Sequence, residues 1–402
     1  MRKSQNVILF GIVVVAVGLR PAVASVSPVI EFVRSDLYIS YAVVSLLTTI
    51  PTLCMGIFAL TIPLITEYIE RERGVLWGTT LLTVATAIRL GSRNALVLLG
   101  STVLVGIGIA VTQTLLPSLV TKYFPDQESF VTGLYTASLT IGAALAGAVT
   151  APLMNLLNSW PMALAIWALP TGVSIPLWLL SWRRTSQQKT KTDTDNSRAQ
   201  LPWKHRWAGV LTLFFGGSST VFFFAITWLA PRYVALGWSA DRAGFLLSVF
   251  IITQLGGNLA VSAVGDRFED QRFLFAAMLS TIIIGSTGIA LVPLLFPWMW
   301  AGLLGIGAGG LFTLGLTLPM MYATGPTATD GLTSMVLGGG YLIAALGPFV
   351  AGAIRDLTGS YRATFVGLSL LATLLLCVSM FFNPGRATIS ATAEETSDFI
   401  SG

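Results

Sequence analysis

Twelve apolar runs follow one another along the chain, each long enough to cross a bilayer as a helix. They fall at 7–33, 41–64, 75–92, 95–120, 129–153 and 160–182, then at 207–233, 241–263, 273–293, 297–322, 330–353 and 361–382. A hydrocarbon core needs roughly 17–25 helical residues, so each run predicts one transmembrane helix. The longest polar stretch, RRTSQQKTKTDTDNSRAQ at 183–200, lacks aromatic residues and aliphatic periodicity. It reads as a flexible linker. The pattern therefore divides the chain into a six-helix half at 1–182, a linker at 183–206, a second six-helix half at 207–383 and a tail at 384–402 expected to be disordered. The first run is too long for a cleavable signal and leads directly into the second.

Composition agrees: 54% of residues are hydrophobic and only 10% charged, against about 25% charged in soluble domains. The runs leave no room for a soluble catalytic domain. The net charge of +5 reports topology and not nucleic-acid binding. With the N-terminus placed in the cytoplasm, fifteen Lys and Arg fall on that side and seven on the other. The excess predicts both termini in the cytoplasm. Cys54 and Cys377 lie in runs far apart in sequence and make no disulfide framework. His205 stands alone in the basic flank of a run. No metal-ligand cluster, no cofactor motif and no catalytic constellation is present, so neither an enzyme nor a metal site is expected.

Arg20 lies near the middle of the first run. A guanidinium at bilayer centre costs roughly 2.5–3.5 kcal/mol by the lowest estimates. Its nearest carboxylates in sequence, Glu31 and Asp36, are at least 11 residues on, on the order of 16 Å along a helix. It therefore lacks an obvious permanent counter-ion, and an arriving anion would supply one. Pro21 and Pro28 each lack an N–H, and Pro21 disfavours helical geometry at Arg20 itself. A helix broken in mid-membrane is how transporters build substrate sites. Ala24 and Ser27 share a helical face with Arg20 and leave space beside it. The competing reading makes Arg20 a strut that bonds freed carbonyls and stacks on an aromatic ring.

Gln113, between Thr112 and Thr114, offers a neutral donor and acceptor to a substrate, or glues helices together. Gln254 and Asn258, one turn apart, carry the same two readings. Tyr135, Trp228 and Tyr341 are candidate cavity walls, with Trp228 also suited to an interfacial belt. The run Phe222, Phe223 and Phe224 reads as lipid-facing or packing surface. Arg89, Arg232 and Arg355 sit at helix ends, where snorkelling is the default.

The layout of two six-helix halves around a long central loop is that of the major facilitator superfamily. Internal repetition supports it: PLITEYIERER at 63–73 and SAVGDRFEDQR at 262–272 follow the second run of each half. Both resemble the superfamily's loop motif in which an acid and arginines lock the halves, although the usual glycine is Pro63 in one copy and Ser262 in the other. The resemblance implies gating roles for Glu67, Arg71, Asp266 and Arg267. Glycines crowd the fourth, fifth, tenth and eleventh runs and let helices approach closely. The stretches GLRPAVASVSPV at 18–29, LLTTIPTLCMGIFA at 46–59, GIGIAVTQTLLPSLVTKYFP at 106–125 and VTGLYTASLTIGAALAGAVTAPL at 131–153 resemble the cyanate porter family. WALP at 167–170 and TWLAP at 227–231 add to the match. The resemblance implies a major facilitator fold, an all-α membrane protein of twelve transmembrane helices in two six-helix halves. It also implies alternating access, a vestibule role for Arg89 in attracting anions, and a small anion such as cyanate as cargo. The protein is expected to work as a monomer, with the lipid bilayer and a small substrate as its only partners. An exporter of uncharged heteroaromatic drugs such as nitroimidazoles is the alternative. A non-transporting sensor would want an added soluble domain.

Overall fold

A computed structural model describes residues 3–65, 70–185, 201–203, 205–268, 270–382 and 389. Twelve helical spans cross it: Gln5–Leu37, Tyr41–Thr61, Arg71–Gly91, Ala95–Tyr123, Phe130–Leu157 and Trp160–Arg183, then Arg206–Val234, Ala240–Val264, Arg272–Leu291, Pro297–Tyr322, Ala328–Thr358 and Tyr361–Ser379. They are numbered 1 to 12 in that order. A bilayer offers backbone groups no water, so each span satisfies its own except where a break leaves a carbonyl to a neighbouring span. Ser and Thr hydroxyls within the spans turn back onto carbonyls one turn earlier, as Thr52 does to Thr48 and Thr86 to Leu82. Such a bond satisfies a hydroxyl inside an apolar run, although the buried hydroxyls of Ser25, Thr49, Thr112 and Ser219 have no partner among the described residues.

The two halves repeat one set of packings. Spans 3 and 4, 2 and 4, 1 and 5, and 3 and 6 pack in the first half, and spans 9 and 10, 8 and 10, 7 and 11, and 9 and 12 in the second. The halves meet where span 2 packs on span 11 and span 5 on span 8. Glycine makes these seams close. An added Cβ at Gly244 would collide with the carbonyl of Gly147, and one at Gly56 would stand 2.9 Å from that of Gly338.

The face where span 1 begins is called here the terminal face, the other the far face. Spans 5 and 8 touch on the far side, where Ser248 Oγ donates to the Ala144 carbonyl at 2.7 Å and Asn155 Nδ2 to Asp241 at 3.1 Å. Toward the terminal face, Gly133 and Gly256 look onto open space. The linker expected at 183–206 lies mostly outside the described residues, with helix continuing to Thr185. The tail expected to be disordered contains one described residue that is held. Ile389 N–H donates to the Tyr322 carbonyl at 2.7 Å, and its own carbonyl accepts from Thr324 N–H at 3.0 Å.

Candidate functional site

Span 1 is broken, and its neighbours take up what the breaks release. A helix runs to Leu19, a short turn of helix spans Pro21–Ala24, a 3-10 turn covers Ser27–Val29, and helix resumes at Ile30. Pro21 has no N–H for the carbonyl of Val17, and span 5 places Gly142 directly against that oxygen. Arg20 itself keeps helical geometry, with φ −88° and ψ −26°. The expected distortion falls later, at 25–26, because Pro21 suits the first position of a new helix. There Val26 N–H bonds to Val23 at 3.3 Å. The Ala22 carbonyl, which a continuous helix would give to Val26, accepts from Arg89 Nη1 at 2.6 Å. On span 7, Pro231 likewise frees the carbonyl of Thr227, which accepts from Ser27 Oγ at 3.0 Å. Thr227 Oγ1 reaches on to Thr48 Oγ1 at 2.9 Å, so one proline tethers spans 1, 2 and 7. Ser27 and Ala24 are buried in this packing and do not make the space beside Arg20 expected of them.

Arg20 differs from the groups around it. Its guanidinium lies 5.6 Å from the centre of the Phe222 ring, within cation–π range. Among the described residues it has no hydrogen-bond or ion-pair partner. Tyr135 of span 5 and Tyr341 of span 11 both stand within electrostatic range of it. Neither hydroxyl has a protein partner among the described residues, and both remain reachable by a water-sized molecule. Behind Tyr341 stand Phe215 and Phe223, edge-on at 5.9 and 6.2 Å. A charged donor and two hydroxyls thus converge from spans 1, 5 and 11 with an aromatic face from span 7. Phe222 packs on Phe223 and Phe250, as the sequence reading of a packing surface expects, and adds a face to the guanidinium. Within the Phe run only Phe223 and Phe224 are buried.

The other expected site residues spread out. Asn258 Oδ1 accepts from Thr313 Oγ1 of span 10 at 3.2 Å, which is interhelical bonding inside one half. Among the described residues Gln254 and Gln113 make no hydrogen bond to Arg20, and the Gln113 Oε1 is sealed without a partner. Trp228 is no cavity wall. It is fully buried, donates to the Pro348 carbonyl at 3.0 Å and packs on Tyr41 and Tyr361. Arg89 neither snorkels nor lines an open vestibule here: it is 0% exposed. Glu67 lies outside the described residues, as does the side chain of Asp266. Arg267 is exposed and Arg71 half-buried. The acid that the sequence reading passed over is Glu72, buried and accepting from Lys122 Nζ at 2.7 Å and Tyr123 OH at 2.6 Å. His205 keeps its place at a span edge, where burial and the adjacent Arg206 push its imidazole below the usual value.

The far face carries a cluster that links the halves. Glu31 of span 1 accepts from Tyr361 OH of span 12 at 2.5 Å, from Tyr41 OH at 3.2 Å and from Arg34 Nε at 3.2 Å. Asp356 of span 11 accepts from the backbone N–H groups of Tyr41 and Ala42 at 2.9 Å, capping span 2 from across the seam. Arg355 stacks on Tyr41 and Tyr361 at 4.8 and 4.6 Å. The sequence hinted at this only through acid–arginine pairs at the ends of runs. These contacts join the two halves on the far face.

Comparison with known proteins follows the same lines. The sequence pattern of the Major Facilitator Superfamily matches residues 10–324. The chain is 30% identical to the cyanate transport protein CynX of Escherichia coli (strain K12), covering 94% of this chain and 97% of that protein. It is also 30% identical to the 2-nitroimidazole transporter of the same strain, covering 93% and 94%. A bacterial homolog to the human lysosomal transporter Spinster, solved inward-facing and occupied, superposes with a TM-score of 0.77 over 96% of this chain and 98% of that one, at 15% identity.

Proposed function

The chain belongs to the major facilitator superfamily, among its cyanate-porter-like members, and we propose that it carries one small monovalent anion of cyanate type by alternating access. The observation that carries this reading is Arg20: a guanidinium in a membrane span that, among the described residues, has no carboxylate or hydrogen-bond partner. A charge inside a membrane span is costly unless it is paired. A visiting anion pairs it, and the Tyr135 and Tyr341 hydroxyls complete the anion's coordination by donating to it. Phe222 and the ring wall behind Tyr341 exclude bulkier hydrated ions.

In the orientation given by the Lys and Arg distribution, the far face is external and this arrangement is closed to the outside. Release of the Glu31 and Asp356 links would let the halves rock on their glycine seams. The loops carrying Glu67, Arg71, Asp266 and Arg267 are the proposed lock for the opposite state. Labelling of a cysteine introduced at Gln188 from outside the cell would overturn this orientation.

A second reading has its own support. Phe222 beneath the guanidinium and the rings of Tyr341, Phe215 and Phe223 would also suit a flat heteroaromatic cargo. Uptake into proteoliposomes of purified protein separates the two. Saturable uptake of cyanate that nitroimidazole does not inhibit is expected; uptake of nitroimidazole alone would assign the site to heteroaromatics.

A further inference from the structure

We infer that Arg89 is a positioning residue: it holds the broken segment of span 1 so that Arg20 faces the substrate. The inference rests on the anion-binding reading of Arg20 and assigns Arg89 a task other than attracting anions.

The argument begins with the carbonyl count at the break. Proline at 21 and the turn at 25–26 interrupt the hydrogen-bond ladder of span 1 just after Arg20. Freed carbonyls cost free energy when buried unless a donor reaches them. The Ala22 carbonyl is two residues from Arg20, and the Arg89 guanidinium supplies its donor at 2.6 Å from the end of span 3. Ser27, on the other side of the turn, is fixed to span 7. The segment from Ala22 to Ser27 is thus tied at both ends, to span 3 and to span 7, and Arg20 leads into it. Without the tie to span 3, the Ala22 carbonyl would lose its donor two residues from Arg20, and the turn would shift to satisfy it.

Burial separates this role from anion attraction. Arg89 is 0% exposed, and its Nε and Nη2 are sealed without a partner, as is the hydroxyl of Ser92 on the following turn. No water-sized molecule reaches these atoms in this arrangement. A side chain so enclosed cannot meet an arriving ion, whereas its one hydrogen bond is short and directed. Arg89 also lies in the 3-10 turn Arg89–Gly91 that ends span 3 and packs on the start of span 6, a rigid footing within the first half.

The test compares three proteins by direct titration with cyanate and by initial-rate uptake. Arg89→Met removes both donor and charge. Arg89→Lys keeps a donor long enough to approach the carbonyl. Positioning predicts that Arg89→Met weakens cyanate binding and raises KM by about tenfold, near one lost hydrogen bond, with little change in the maximal rate. Arg89→Lys should recover most of that loss. The deficit of Arg89→Met should be the same at low and high salt, since screening acts on attraction of ions and not on a buried bond. If Arg89→Met does not fold, Arg89→Gln replaces it, its amide stopping short of the carbonyl, and the same deficit is expected. Wild-type affinity in Arg89→Met or Arg89→Gln overturns the inference, as does a deficit that vanishes at high salt or one that lysine leaves unrepaired. A wild-type protein that fails to bind cyanate overturns the anion reading and this inference with it, a result distinct from the others.

Discussion

Two guanidiniums serve the break in span 1, and they stand in opposite conditions. Arg20 has no hydrogen-bond or ion-pair partner among the described residues and lies beside an aromatic ring in reachable space. Arg89 is fully enclosed and gives one N–H to a backbone carbonyl. Both are arginines in apolar helices, and sequence position alone puts Arg20 at the centre of the membrane and Arg89 at its edge. What separates them is the supply of acceptors. Proline-freed carbonyls are acceptors that the fold itself creates, and Arg89 is used on one. Arg20 has no such partner among the described residues, and in the proposed reading its acceptor arrives with the cargo.

The contrast belongs to an arrangement whose halves are joined on the far face, and a single hydroxyl there can be removed. Tyr361→Phe removes a donor from Glu31, a charge-assisted bond worth about 2 kcal/mol. In a background without Cys54 and Cys377, a cysteine placed by Ser92→Cys should then be labelled from the far side on the order of ten times faster. An unchanged labelling rate would mean that the Glu31 cluster does not hold the face shut.

The Arg20 side of the contrast is sharpened by its two tyrosines. Tyr135→Phe and Tyr341→Phe each remove one hydroxyl and should each cost about 1.5 kcal/mol of cyanate affinity, close to tenfold. Equal affinity in both variants would leave Arg20 alone as the site. Ser27→Ala orphans the Thr227 carbonyl and should cost about 1 kcal/mol of thermal stability. Asn258→Ala breaks a bond inside the second half and should cost about 0.6 kcal/mol, with cyanate titration unchanged. A loss of cyanate affinity in Asn258→Ala would extend the site toward span 8.

Much of this was legible in the sequence. Apolar run length and the polar stretch after the sixth run led to the spans, because the bilayer imposes one length scale on every helix. Arg20 stood out because a charge in such a run is rare. Its partners were harder to find. Tyr135 and Tyr341 read as cavity walls from sequence, but Phe222 groups with its neighbours, since three successive residues on a helix point three ways and sequence does not show which one faces inward. Trp228 and Arg89 were misplaced for a related reason. Each reaches a particular backbone carbonyl, of Pro348 and of Ala22, and a free carbonyl appears only when helices far apart in sequence are brought together. The far-face cluster was hidden likewise, its carboxylates and tyrosines coming from spans 1, 2, 11 and 12.

The central claim is that Arg20 pairs with the charge of the cargo, and direct titration of a folded Arg20→Gln protein with cyanate tests it most closely. Removing one member of a buried charge pair costs on the order of 3–5 kcal/mol, so binding should fall by at least a hundredfold while the thermal unfolding of the unliganded protein changes little. Arg20→Lys keeps the charge without the planar fork and should fall between the two. Undiminished cyanate affinity in Arg20→Gln would contradict the claim and return Arg20 to the role of a strut.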